Sequence, residues 1–269
     1  MQIGDITIHP LTDGTFRASP AYFGEHVRPE GHEHLFQARD GMAWLPIGCF
    51  LVRTGDRTVL VDAGMGPTLD DAGPRRLLIG GQLLLGLRAI GMTPADVTDV
   101  VCTHLHSDHC GWLFDTNAEP VFPGATIWFG TGDWDHFVVG EAKLADHIRR
   151  GLLATRELGD GVQLADHDTT IAPGLSLMLT PGHTPGHLCV VVSSAGQRAL
   201  LLGDAITCPV QLDEPSWQSM ADVDPALARR VRDSLFRELE DDATTGVGAH
   251  FPELAFGRVL TGQGRSWHT

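Results

Sequence analysis

The chain has 269 residues, 42% hydrophobic and 20% charged, an ordinary soluble composition with enough length to bury a sizeable α/β core. A formal charge of −15 argues against nucleic acid and anionic membrane surfaces as partners. Met1-Gln2-Ile3-Gly4-Asp5 offers no basic n-region or long apolar h-region, and the five cysteines lack paired spacing, so a reduced, cytoplasmic setting is expected.

Residues 6–16 and 44–53 read as strands, and 58–61 as a short buried strand ending at Asp62. Between the first two, residues 19–41 carry Pro20, Pro29, several glycines and few apolar side chains. That composition predicts a long loop, a candidate lid. Residues 74–90 read as a helix; its apolar part contains Arg88 and is too short to span a bilayer. A strand through 98–101 then runs into Thr103-His104-Leu105-His106-Ser107-Asp108-His109. Neutral imidazole is a good zinc ligand, and a carboxylate supplies a hard anionic oxygen against a divalent charge. On an extended backbone His104 and His106 point the same way, whereas Asp108 and His109 share a direction only if the chain turns. The spacing therefore allows two neighbouring metal positions.

Residues 125–129 read as a strand and 133–153 as largely helical, broken near Gly140. Strands follow at 162–170, 175–180, 188–193 and 199–202, and a helix at 225–239 with Asp224 as its cap and Pro225 in its first turn. Three more ligand types close strand-like runs: His183 in Pro181-Gly182-His183-Thr184-Pro185-Gly186-His187, Asp204 after Leu200-Leu201-Leu202-Gly203, and His250 in Gly248-Ala249-His250-Phe251-Pro252. Strand-to-loop junctions let rigid elements present side chains to a shared rim. The resulting assignment puts His104, His106 and His183 on one metal and Asp108, His109 and His250 on a second, with Asp204 bridging them. Pattern alone supports a mixed α/β layer fold.

The H-x-H-x-D-H cluster, the later G-H, G-D and His, and the earlier Leu60-Val61-Asp62-Ala63-Gly64-Met65-Gly66 together resemble the metallo-β-lactamase superfamily of hydrolases, from about residue 6 to 259. Gly111-Trp112, Phe129 to Trp134-Asp135-His136, Gly203 through Gln211 to Trp217, and Ala249 to Pro252 with Phe256-Gly257-Arg258-Val259 put the resemblance nearest the methyl parathion hydrolase-like and quorum-quenching lactonase-like branch. The resemblance implies an αβ/βα sandwich, two mixed sheets flanked by helices, as one domain over residues 1–269 with the metals at the edge between sheets.

It further implies a dinuclear hydrolase whose bridging hydroxide cleaves a lactone, carboxyl ester or organophosphate-like ester. The expected cofactors are two divalent ions, zinc first, with iron, manganese or cobalt as alternatives. Asp108 and Asp204 are ligands that could also guide a proton to the leaving group. Asp62 is read either as orienting a ligand histidine through its other ring nitrogen or as a strand-end turn carboxylate. Phe23, Trp112, Phe114, Trp134 and Trp217 are candidate walls for the small-molecule ester or lactone, weighed against ordinary core packing. His187 is read as structural, and His32 with His34 as a pair on the lid. Tyr22 is the only tyrosine and none follows Gly182, so a late tyrosine beside the metals, as in some lactonases, has no direct equivalent. The competing readings are a mononuclear iron persulfide dioxygenase-like enzyme, β-lactamase or thioesterase activity on the same fold, and a non-catalytic metal-binding protein. A homodimer is left open.

Overall fold

Side chains alternate across a strand, so a strand buried on both faces needs a partner layer on each. Arg57–Val61 meets that condition: Val59 and Val61 face a second sheet, and Leu60 faces helices. The structure is a computed structural model that describes residues 1–262 and 265–269. Among the described residues, the first sheet runs in the order Val162–Ala165, Thr126–Gly130, Asp99–Val101, Arg57–Val61, Met42–Thr54, Ile6–Ala18, Arg76–Ile79 and Leu69–Asp71. Gln2–Ile3 and Phe36–Gln37 pair onto its long strands. The second sheet runs Thr169–Ala172, Leu175–Leu179, Leu188–Ser194, Gln197–Leu201 and Thr244–Val247.

Between the sheets, Ile8, Phe50 and Val52 share a buried cluster with Leu175, Leu177 and Val190. Leu235 and Phe236 of the helix Pro225–Glu238 join the same cluster from the second sheet's side. On the other side of the first sheet, Leu60 and Val100 pack with Leu83 and Leu87 of the helix Leu83–Ala89 and with Ile148 and Leu152 of Asp146–Glu157. The layers are helix, sheet, sheet, helix, as expected. Pro225–Glu238 begins as its sequence predicts, with the Asp224 carboxylate accepting from the Leu227 N–H at 2.9 Å.

Three stretches differ from the sequence reading. Residues 74–90 are a strand, Arg76–Ile79, followed by the shorter helix Leu83–Ala89. The reason is a long-range cap. Asp13, at a register shift in Ile6–Ala18, is fully buried and accepts from the N–H groups of Gly81 at 3.1 Å and Leu83 at 2.8 Å. It also accepts from Met65 at 2.7 Å, Gly66 at 3.1 Å and the Trp112 indole at 2.8 Å. Residues 162–170 are two strands, Val162–Ala165 and Thr169–Ala172, in different sheets, with the chain crossing between them. The predicted loop at 19–41 buries Tyr22, Phe23, Val27, Leu35 and Phe36 against Cys208, Val210 and Trp217. Its backbone is tied down by Gln218 N–H to Phe23 O at 3.1 Å and Met220 N–H to Tyr22 O at 2.9 Å. All five cysteines are buried and free. No helix among the described residues is long and apolar enough to cross a membrane.

Candidate metal centre

The strand Asp99–Val101 delivers the histidine cluster to the sheet edge, where the backbone, expected to stay extended, instead bends at Thr103, His104 and His106 and then makes one helical turn, Ser107–Cys110. That path lets His104 and His106 face one position and the helical pair, Asp108 and His109, face the next. His183 enters from the loop after Leu175–Leu179, Asp204 from the end of Gln197–Leu201, and His250 from the end of Thr244–Val247. Donor atoms of His104, His106 and His183 converge within 4.8 Å, as do those of Asp108, His109 and His250, and those of His104, His109 and Asp204. All seven side chains assigned from the sequence thus meet in one place.

The hydrogen bonds around the cluster fix which ring nitrogen faces inward. Thr103 Oγ1 donates to Asp62 Oδ2 at 3.0 Å, so its contact with His104 Nδ1 at 3.1 Å requires the imidazole N–H to donate. His183 Nδ1 donates to Asp222 Oδ1, His109 Nδ1 to Asp62 Oδ2 and His250 Nδ1 to the Pro46 carbonyl, each at 2.8 Å. With Nδ1 protonated and turned outward, His104, His109, His183 and His250 all point Nε2 inward, the atom that carries a lone pair in the ligating form of the ring. His104 Nε2 lies 3.0 Å from His106 Nδ1, which lies 3.1 Å from His183 Nε2. His106 Nδ1 carries either a lone pair or a single N–H, so it can satisfy at most one of these two facing lone pairs. Nitrogens about 2.0–2.1 Å from a tetrahedral zinc would sit roughly 3.3 Å apart, close to this spacing.

The second group has the same character. His250 Nε2 is 3.4 Å from both Asp108 Oδ2 and Asp204 Oδ1, and His109 Nε2 is 3.5 Å from Asp204 Oδ1. His109 Nε2 and Asp204 Oδ1 are fully buried without a hydrogen-bond partner, a costly arrangement unless a cation satisfies them. The other carboxylate oxygen of Asp204 lies 3.5 Å from His183 Nε2, so one carboxylate faces both groups. The donor set fits two divalent cations.

Electrostatics separate the two positions. Burial, reinforced by neighbouring imidazoles, holds His104 well below the usual histidine range and pushes His106 down to about 3. Both are neutral, the ligand form. Burial also opposes the charge on His109, but Asp62, Asp204 and Asp108 outweigh it and raise the group to about 9. His250 rises in the same way beside Asp204 and Asp108. Without metal, the second position therefore holds positive charge as protons where a cation would supply it.

Supporting groups come from far along the chain. Asp62, at φ 60° in a region unfavourable to non-glycine residues, binds the Thr103 N–H at 2.7 Å as well as His109. This is the ring-orienting geometry considered for it. His187 is buried; its Nδ1 meets Thr180 Oγ1 at 2.8 Å and its Nε2 accepts from the Asp204 N–H at 3.1 Å, fixing that loop. Gly203 has φ 51°, and a Cβ there would stand 2.7 Å from Thr103 Cβ and 2.8 Å from His187 Nε2. Two carboxylates absent from the sequence reading also matter. Asp222 holds His183, and buried Asp133 joins the two histidine loops by accepting from Leu105 N–H at 2.9 Å and Gly186 N–H at 2.7 Å. Neither carries a local signature, since each partner is dozens of residues away.

A cavity of about 820 Å³ opens onto His106, Asp108 and Asp204. Of the five aromatic walls proposed from sequence, Trp112 and Phe114 line it. The other three are placed elsewhere. Trp134 stacks on Phe129, with ring centroids 6.3 Å apart, and Phe23 and Trp217 pack together at 5.7 Å in the cluster beneath the 19–41 segment. In their place Phe16, Tyr22 and Phe137 reach the cavity. His32 leans on Trp217 at 4.7 Å and meets Glu214 at 3.2 Å, while His34 lies 6.0 Å from His32, away from the ligands.

Residues 42–250 match the family model described as metallo-beta-lactamase superfamily. An N-acyl homoserine lactonase from Bacillus sp is 25% identical over 173 residues, 59% of this chain and 62% of that protein. Metallo-beta-lactamase domain-containing protein 1 from Homo sapiens is 32% identical over 66% of this chain and 57% of its own length. The chain thus spans about 62% of the lactonase it matches. Among solved structures, AidC, a dizinc quorum-quenching lactonase bound to a homoserine product, superposes with TM-score 0.84 at 23% identity, covering 100% of this chain and 95% of that one. The hydrolase AbOPH superposes with TM-score 0.82 at 24% identity, covering 100% and 94%. At these identities the structural likeness establishes the fold.

Proposed function

The chain belongs to the metallo-beta-lactamase superfamily, and from that premise we propose that it is a dinuclear metal-dependent hydrolase of a small lactone, carboxyl ester or organophosphate-like ester. The observation that carries the reading is the convergence of inward ring nitrogens and buried carboxylate oxygens in two adjoining groups, with Asp204 turned to both. Cations bound there would bring a water to a pKa of about 7 and polarise the substrate oxygen. The chain's own residues do the remaining work. His104, His106 and His183 form one set of ligands, Asp108, His109 and His250 the other, and Asp204 spans them. Asp62, Asp222 and the Pro46 carbonyl hold three of the rings in the ligating tautomer. Trp112, Phe114 and Phe137 give the cavity apolar walls that exclude water and suit a substrate with a hydrocarbon portion.

A small substrate agrees with the cavity volume, and lactone chemistry agrees with the lactonases among the relatives. The test is the zinc-, manganese-, cobalt- or iron-loaded protein against lactones, aryl esters, phosphotriesters, thioesters and β-lactams, with metal content measured. Turnover with two metals per chain is expected. One iron per chain with oxygen consumption would instead establish a persulfide dioxygenase-like enzyme. Full loading without turnover on the whole panel would leave a metal-binding protein.

A further inference from the structure

The metal-ligand set accounts for the attacking water but leaves open which group meets the departing oxygen of the substrate. Most donors of the cavity wall stand towards solvent or are engaged: Thr68, Ser107, Thr116 and Lys143 are exposed, Arg76, His136 and His147 are only half-buried, Arg76 is bonded to Asp70, and the Trp112 indole N–H is spent on Asp13. Tyr22 differs from all of them. It is the single tyrosine of the chain, it is 3% exposed, and it lines the same cavity as His106, Asp108 and Asp204. Its ring meets Phe16 edge-on at 4.9 Å, and Phe16 meets the ring of His250 edge-on at 4.9 Å. The phenol is therefore positioned from the metal centre through one intervening side chain.

Its hydrogen bonding leaves a proton to give. The Tyr22 hydroxyl lies 2.7 Å from Ser219 Oγ, and Ser219 Oγ accepts from the Ala221 N–H at 3.1 Å. With that acceptor position filled by a backbone donor, the serine proton can point to the tyrosine oxygen and free the phenolic proton for the cavity. Ser219 is held in turn by Asp222, which accepts from the Ser219 N–H at 3.2 Å and from His183. Burial, and next the charge of Asp204, push the phenol far above its ordinary range, so it stays protonated as a donor.

We propose that Tyr22 is a catalytic residue of the hydrolysis proposed above, on which this inference rests: its hydroxyl donates a hydrogen bond to the leaving oxygen of the substrate. Water adds across the acyl–oxygen bond. Its hydroxyl goes to the acyl carbon, the bond to the leaving oxygen breaks with its electron pair on that oxygen, and the remaining water proton ends there. Tyr22 stabilises the developing negative charge and is unchanged after each turnover.

Tyr22→Phe removes the donor and keeps the ring contacts with Phe16 and Phe23. On the metal-loaded protein we expect about a 100-fold loss of kcat for a γ-lactone or alkyl ester, whose leaving alkoxide needs help. The loss should be under about 3-fold for a p-nitrophenyl ester, whose leaving group is already a weak base. Metal content and melting temperature should stay those of the parent. Ser219→Ala, which retains the phenol, should cost less on the lactone. An equal loss on both substrates, or none, would overturn the assignment while leaving the hydrolase reading intact. If the parent protein hydrolyses neither substrate, the lactone and carboxyl-ester reading fails, and a second measurement still decides about Tyr22. With one tyrosine there is one ¹³Cζ tyrosine resonance, and in the metal-loaded protein it should shift saturably as 4-hydroxybutanoate is added. No saturable shift would overturn contact between Tyr22 and a ligand in this cavity.

Discussion

Asp222→Asn tests whether the inward tautomer of His183 is set from outside the metal ligands. Asp222 uses both oxygens, Oδ1 for His183 Nδ1 at 2.8 Å and Oδ2 for the Ser219 N–H at 3.2 Å. A carboxamide can accept at only one of these points and presents its own NH₂ to the N–H at the other. A hydrogen bond to a charged group contributes about 1.5–3 kcal/mol. At about 1.4 kcal/mol per tenfold, the first metal position should weaken roughly 10- to 100-fold. The second position, built on Asp108, His109 and His250, should change little. Titration of the metal-free variant with zinc against a chromophoric chelator resolves the two equivalents separately. Two equivalents at parental affinity, or weakening confined to the second, would refute the argument.

The positive charge gathered at His109 predicts a pH signature of the metal-free protein. Its folded value, about 9, lies above the ordinary 6.5, so the stabilisation is complete below pH 6.5 and is lost as pH rises through 9. The metal-free melting temperature should fall across that window, and zinc binding at pH 7 should release protons, seen as calorimetric heats that vary with the buffer; a flat profile would contradict it. Trp217→Ala removes a buried ring from the cluster with Phe23 and Phe36, at a cost of about 3–5 kcal/mol by chemical denaturation, with KM unchanged in the folded fraction. A KM change with parental stability would return Trp217 to the cavity wall. Asp13→Ala strands four backbone N–H groups and the Trp112 indole, each costing about 1–3 kcal/mol, and should abolish a cooperative unfolding transition.

The convergence of the candidate ligands was legible because their chemistry is local: His104, His106, Asp108 and His109 carry their spacing within six positions, and His183, Asp204 and His250 each end a strand-like run. The layered fold was legible from strand-rich halves and from the family pattern. What escaped depends on long-range partners. An aspartate such as Asp13, Asp133 or Asp222 looks like any turn residue until its acceptor atoms meet amides from elsewhere. Aromatic side chains announce burial without the direction they face, which is why Trp134 and Trp217 were expected at the cavity and pack in the core. Leu77, Leu78 and Ile79 fit a strand or a helix start equally well until pairing with Ile6–Ala18 selects the strand.

Among the described residues, the chain passes once between the two large sheets, between Ala165 and Thr169, and this has an engineering consequence. A cut there would separate His104, His106, Asp108 and His109 on one fragment from His183, Asp204 and His250 on the other. Neither fragment could complete a coordination shell alone. If the seven side chains bind divalent metal as proposed, the cation would act as a fastener, and reassembly of the two pieces in trans would depend steeply on its concentration, turning the pair into a metal-gated split reporter.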